Sequence, residues 1–291
     1  MLNYGVSRRT AVFPDTPFDS LLMKHKLLLL ISALLLTCSA GAQCPVENTA
    51  FKSGEHLDYD LYFNWKFIWI KVGSAQMDIK QTKYKGQDAY RAYLITRGSK
   101  QADRYFVMRD TLTSYVTTDI VPLFYQKAAY EGNTYRNEIV HYNYENGKAR
   151  LNLSYQKNDK PATKKTVTVN ECPYDMISML LKARSFDGSK FKVGDRISFM
   201  MAEGKHCERQ YIVYRGREKF TNEYTDETFD CLVFSFVEKK GKKEKDIVTF
   251  YVTNDKNHLP VRLDLNLKFG SAKAFLKTAK GVRHKYICVH K

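Results

Sequence analysis

The chain has 291 residues, with 47 Lys and Arg against 31 Asp and Glu and a formal net charge of +16. Such a surplus favours anionic partners, namely lipid and lipopolysaccharide phosphates, acidic glycans or nucleic acid. Many of the cations gather in apparent turns, as in 239–245, so solvated loop tips are the simplest account of those.

The first readable element is Met23-Lys24-His25-Lys26, followed by the apolar run 27–36 and by Ala40-Gly41-Ala42. A charged start, about ten apolar residues and a small-x-small site are the three parts of a secretory signal. The run is too short to span a bilayer, which takes about 20 residues. Residues 1–22 are therefore read as an upstream mis-start and 23–42 as a signal peptide cut before Gln43. Residues 43–291 are then one exported, periplasmic domain, and an exported chain rarely meets nucleic acid. A lipoprotein signal needs a cysteine preceded by small residues. Cys38 follows Leu36-Thr37 and Cys44 follows Ala42-Gln43, and neither fits.

Beyond the signal, two-residue periodicity dominates. Leu57, Tyr59, Leu61, Phe63 and Trp65 alternate with mainly polar residues, and Ala75, Met77 and Ile79 do so after Gly73. Further strands are expected at 90–96, 105–109, 111–116, 138–144, 149–155, 166–170, 196–201, 209–214, 232–237, 247–252, 261–269 and 274–278. Asn146-Gly147 is a type I′ hairpin signal; Lys85-Gly86 and Lys240-Gly241 mark other turns. Trp65-Lys66-Phe67-Ile68-Trp69-Ile70 is too densely apolar for alternation. It reads as a bulged strand crossing the core, with an exposed apolar rim as the alternative. One segment is helical, Pro173 to Arg184, with Pro in its first turn, Asp175 at its start and basic residues at its end. Its apolar residues cover most of the circumference, so it should be buried. The fold class is mainly β: a single curved antiparallel sheet or partly open barrel with one buried mid-chain helix.

Cys44, Cys172, Cys207, Cys231 and Cys288 are an odd, scattered set with no CxxC. They read as small buried hydrophobes rather than a disulfide framework. No nucleophile elbow, HExxH, P-loop or GxGxxG occurs. His206-Cys207 stands alone, so no metal or cofactor is expected. Asp103, Asp110, Asp175 and Asp255 are the carboxylates that a fold would have to gather for acid–base work. Asp175 and Asp255 have simpler readings, as a helix-start and a turn residue.

Four blocks, in order, resemble a known family. They are Gly54-Glu55-His56-Leu57-Asp58-Tyr59 with Trp65 and Val72-Gly73-Ser74-Ala75; Tyr105-Phe106-Val107-Met108-Arg109-Asp110 with Pro122; Asp175-Met176-Ile177-Ser178-Met179-Leu180 with Arg184; and 252–261 with its Asp255 and Pro260. Together they resemble the domain-of-unknown-function 3108 family of exported Gram-negative proteins. Phe250-Tyr251 stands where members often have a tryptophan. The resemblance implies a curved antiparallel sheet and an envelope location, and no activity.

The functional expectation is a non-catalytic envelope protein that binds an amphipathic or anionic envelope component, with peripheral membrane contact. The candidate ligand-binding residues are Trp65, Trp69 and Tyr62, with Arg109 and Arg184 as cations. A carboxylate-dependent glycan hydrolase or lyase, and a partner-binding assembly protein, are the alternatives.

Overall fold

The computed structural model describes residues 44–65, 68–240, 243–267, 270–285 and 287–290. The expected signal peptide at 23–42 and the segment before it lie outside the described residues. In chain order the strands are β1 (Glu55–Trp65), β2 (Ile68–Tyr84), β3 (Gln87–Gly98), β4 (Met108–Thr117), β5 (Pro122–Glu131), β6 (Thr134–Glu145), β7 (Lys148–Lys157) and β8 (Thr163–Val169). The two-residue β9 (Pro173–Tyr174) and helix α1 (Met176–Ala183) come next. They precede β10 (Arg196–Ala202), β11 (Cys207–Asn222), β12 (Glu227–Lys240), β13 (Lys243–Thr253), β14 (Pro260–Leu267), β15 (Gly270–Lys280) and β16 (Val289–His290).

The order in the sheet is β8-β7-β6-β5-β4-β3-β2-β1-β15-β14-β13-β12-β11-β10-β9, with β16 on β12. Two meanders thus meet where β1 pairs with β15, and the sheet rolls into a nearly closed barrel with one seam. Pairing is antiparallel except between β9 and β10. Tight turns make the meander possible. At β6–β7, Asn146 and Gly147 have φ of 50° and 73°, the left-handed pair of a type I′ turn.

Alternation fills the barrel. Leu57, Met77, Leu94 and Leu112 are successive register partners across β1 to β4 and point inward together. Ile79, Val116, Val140, Leu151 and Leu153 extend this core, and Ile177 and Leu181 of α1 enter it. The outward positions of the same strands mix Asp58, Asp78, Lys80 and Arg91 with Tyr93 and Tyr115, which is not the continuous apolar band of a transmembrane barrel.

Helix α1 is fixed at its start. The Asp175 carboxylate accepts from the Ile177 and Ser178 amides at 3.0 and 2.9 Å, and the Ser178 hydroxyl completes a capping box. The same carboxylate accepts from Ser114 Oγ at 3.0 Å and Tyr142 OH at 3.4 Å, so the cap also bolts the helix to β4 and β6.

Five expectations need correction. Pro173 is not in the helix; it pairs with Met200 in β9. The helix is not buried all round, because Met176 is exposed and Leu180 half-buried. Residues 105–107 form no strand but an exposed connection after a 3-10 turn at Ala102–Arg104. Trp65 pairs with Ile68 and Phe63 with Ile70, so these residues belong to two paired strands, β1 and β2, rather than to one strand through the core. Finally, Cys44 and Cys172 form a disulfide with Cα atoms 5.5 Å apart. It ties the N-terminal segment to the β8–β9 connection, and it leaves Cys44 no free sulfur for a lipid. The partners are 128 residues apart, so only the fold brings them together. Cys207 and Cys231 do not pair.

Candidate functional site

The residues singled out from the sequence fall in three places. Tyr62 lies on β1, its ring stacked on Tyr224 at 4.5 Å and edge-on to Phe275 at 5.6 Å. Burial pushes its hydroxyl pKa well above the usual range. Trp69 on β2 has Lys273 Nζ 4.3 Å over its ring, and Lys273 is the register partner of Tyr62, so these two share one patch. The Trp65 backbone sits at the tip of the same hairpin. Arg109, exposed, forms a bidentate pair with Asp103, which holds that carboxyl below its ordinary pKa.

Arg184 is elsewhere. Its guanidinium is fully buried and pairs with both carboxylate oxygens of Glu55, and its Nε and Nη2 each donate to Asn257 O at 3.1 Å. It joins the end of α1 to the start of β1 and the β13–β14 turn, and no surface ligand can reach it. As a binding cation it is corrected to a structural one. Asp255 is likewise a turn residue. Its Oδ1 accepts from Thr253 Oγ1 and from the Asn257 and His258 amides.

Strand direction defines two ends of the barrel. One end carries the β5–β6, β3–β4, β1–β2 and β14–β15 connections, which are neighbours around the sheet. Tyr130 and Tyr135, Tyr105 and Phe106, Ile68 and Ile70, and Leu267 are exposed there, Tyr105 by 91% and Ile68 by 66%. Among the described residues this is most of the exposed large hydrophobic set. Turns at the opposite end include Lys85-Gly86, 118–121 and Asn146-Gly147, and their large apolar residues, Ile120 and Val121, are buried and half-buried. The rim is preformed. The Gly132 amide donates to Val107 O at 2.8 Å, and the Phe106 ring leaves no more than 3.2 Å for a Cβ at Gly132, which sits at φ 60°. Lys100 and Arg104 are exposed on the same β3–β4 connection.

Just inside this rim, the inward positions turn polar. Asp110, Lys127, Glu131, Arg136 and Glu138 line one side, with Lys127 3.8 Å from Glu131 and Arg136 paired to Glu131. Burial, helped by the Glu131 charge, raises the Asp110 pKa to about 6, and its Oδ1 has no hydrogen-bond partner among the described residues. Burial also raises Glu203, which faces Glu138 from the β10–β11 turn, where the Gly204 amide donates to Glu138 at 3.3 Å. Sequence reasoning named Asp110 among the candidate carboxylates but missed Lys127, Glu131, Arg136, Glu138 and Glu203, because no strand was expected at β5. Among the described residues no group of three metal-ligating side chains gathers.

A rolled antiparallel sheet with a plugged interior, an apolar rim and a polar mouth is the architecture of a barrel-like single-sheet protein. The family described as Protein of unknown function (DUF3108) matches residues 58–277, and the chain belongs to that family. Among solved structures, it is similar to a beta-barrel-like protein of domain of unknown function DUF1849 from Brucella abortus. That match has a TM-score of 0.53 at 9% identity, covering 79% of this chain and 99% of that one. A candidate exported protein with a YmcC-like fold from Bacteroides fragilis matches with a TM-score of 0.32 at 8% identity, covering 81% and 100%. The first of these supports the fold alone. No curated protein matches the chain significantly.

Proposed function

We propose that this is an exported, non-catalytic protein of the cell envelope that binds an amphipathic, anionic envelope component at the apolar rim. The observation that carries this reading is the collection of Ile68, Ile70, Tyr105, Phe106, Tyr130, Tyr135 and Leu267 at one end of adjacent strands. Soluble proteins seldom expose contiguous apolar patches of this kind unless something covers them. Lys100, Arg104 and Lys273 stand where phosphate or carboxylate head groups would meet the rim, and the strong positive charge that remains after removal of residues 1–42 draws such groups in. The disulfide suits an oxidising compartment, and hence export.

Co-sedimentation with lipid vesicles tests this. The protein should bind vesicles of phosphatidylglycerol, bind phosphatidylcholine weakly, and release as salt rises, because exposed charges are screened over about 8–10 Å at physiological ionic strength. Absence of binding to both vesicles rejects the reading. The enzyme alternative has one observation in its favour, the raised Asp110 beside Glu131. Steady glycan turnover abolished in Asp110→Asn would replace the binding reading with that one.

A further inference from the structure

The outer face of β3, β4 and β5 holds a cavity of about 400 Å³ that the rim does not include. Its floor is two register rows. Tyr93, Thr113 and Gln126 are partners across the three strands, and Arg91, Tyr115 and Phe124 are partners in the next row. The second row is part of an aromatic cluster with a cation at its end: Tyr84 lies 5.0 Å from Tyr115, Tyr115 6.0 Å from Phe124, and Phe124 5.1 Å from His141, the rings inclined to one another. Arg91 Nε is buried with no hydrogen-bond partner among the described residues, so an acceptor from outside would relieve it. Lys80 and Lys85 add positive charge at the edge, while the nearby Asp78 is already engaged by His56 at 3.0 Å.

We infer that this cavity binds an acidic oligosaccharide. Sugar rings have apolar faces that lie on aromatic side chains, and their hydroxyls need a few convergent polar groups, here Thr113 and Gln126. A sugar carboxylate matches the guanidinium of Arg91, whose planar fork recognises such groups. The inference is independent of the rim, since no cavity residue lies in the rim connections.

Isothermal titration of the full chain with hexagalacturonate, and with neutral cellohexaose, tests it. Saturable binding of the acidic chain is expected, with the neutral chain at least about tenfold weaker, and with Phe124→Ala and Arg91→Gln each weakening binding about tenfold or more. The rim variant Ile68→Ser/Phe106→Ser should bind the sugar as the parent does, which separates the two proposals. Hydrogen exchange of the unmodified protein needs no variant, and the sugar should protect amides in 89–97 and 111–126. Absent binding, equal binding of cellohexaose, unaltered affinity in both cavity variants, or protection confined to other strands would each overturn the inference.

Discussion

At the residue scale, the buried Arg184–Glu55 pair sets the tolerance of the fold. Removing one partner strands a charge in the core, which costs about 3–5 kcal/mol. Glu55→Ala should therefore lose that much in urea melts, whereas removing the exposed Arg109 should cost less than about 1 kcal/mol. Asp110 gives a pH signature. Its folded pKa, about 6, is above its unfolded value, so the folded state holds the extra proton between about pH 4 and 6. Stability from this group is present below that window and is lost as pH rises through it. Asp110→Asn should remove the step and, after allowance for solvent screening, stabilise the protein by about 1 kcal/mol at pH 7.5. Thermal melts across pH 4–8 check both points. The roles of Asp175 and Asp255 were legible from sequence because capping and turns are local. Those of Arg184 and Asp110 were not, since both depend on partners from distant strands.

At the element scale, helix α1 is the plug. Leu181 is wholly buried and Leu180 only partly so. Leu181→Ala should cost about 2–5 kcal/mol by calorimetry or urea melts, and Leu180→Ala less. The disulfide closes a long loop, and Cys44→Ser/Cys172→Ser should lose about 2–4 kcal/mol under non-reducing conditions. Most strands showed in the sequence because one face is apolar and the other wet. Strand β5 did not, because Pro122 opens it and Lys127 and Ala128-Ala129 interrupt the alternation. Lys127 faces the polar mouth, so it is the polarity of that layer that blurs the strand pattern. The 65–70 stretch misled for a related reason: Ile68 and Ile70 are apolar at an exposed rim, not in a strand that crosses a core.

At the scale of the whole molecule, the rolled sheet separates environments that the linear pattern cannot distinguish: a packed interior with a polar mouth, an outer wall of mixed polar and aromatic residues, and an apolar rim at one end. Which strand ends lie together follows from the meeting of β1 and β15, a pairing between the two ends of the domain that no local signal announces. The central claim is that the rim meets the apolar part of an envelope amphiphile. The protein's two tryptophans, Trp65 and Trp69, both lie in the β1–β2 hairpin at that rim, and they serve as native reporters. The decisive measurement is tryptophan fluorescence with phosphatidylglycerol vesicles whose acyl chains carry bromine quenchers. The account predicts saturable quenching that disappears in Ile68→Ser/Phe106→Ser and weakens at high salt. Unquenched tryptophans on vesicles shown by sedimentation to carry the protein would contradict it, because another surface would then be making the contact.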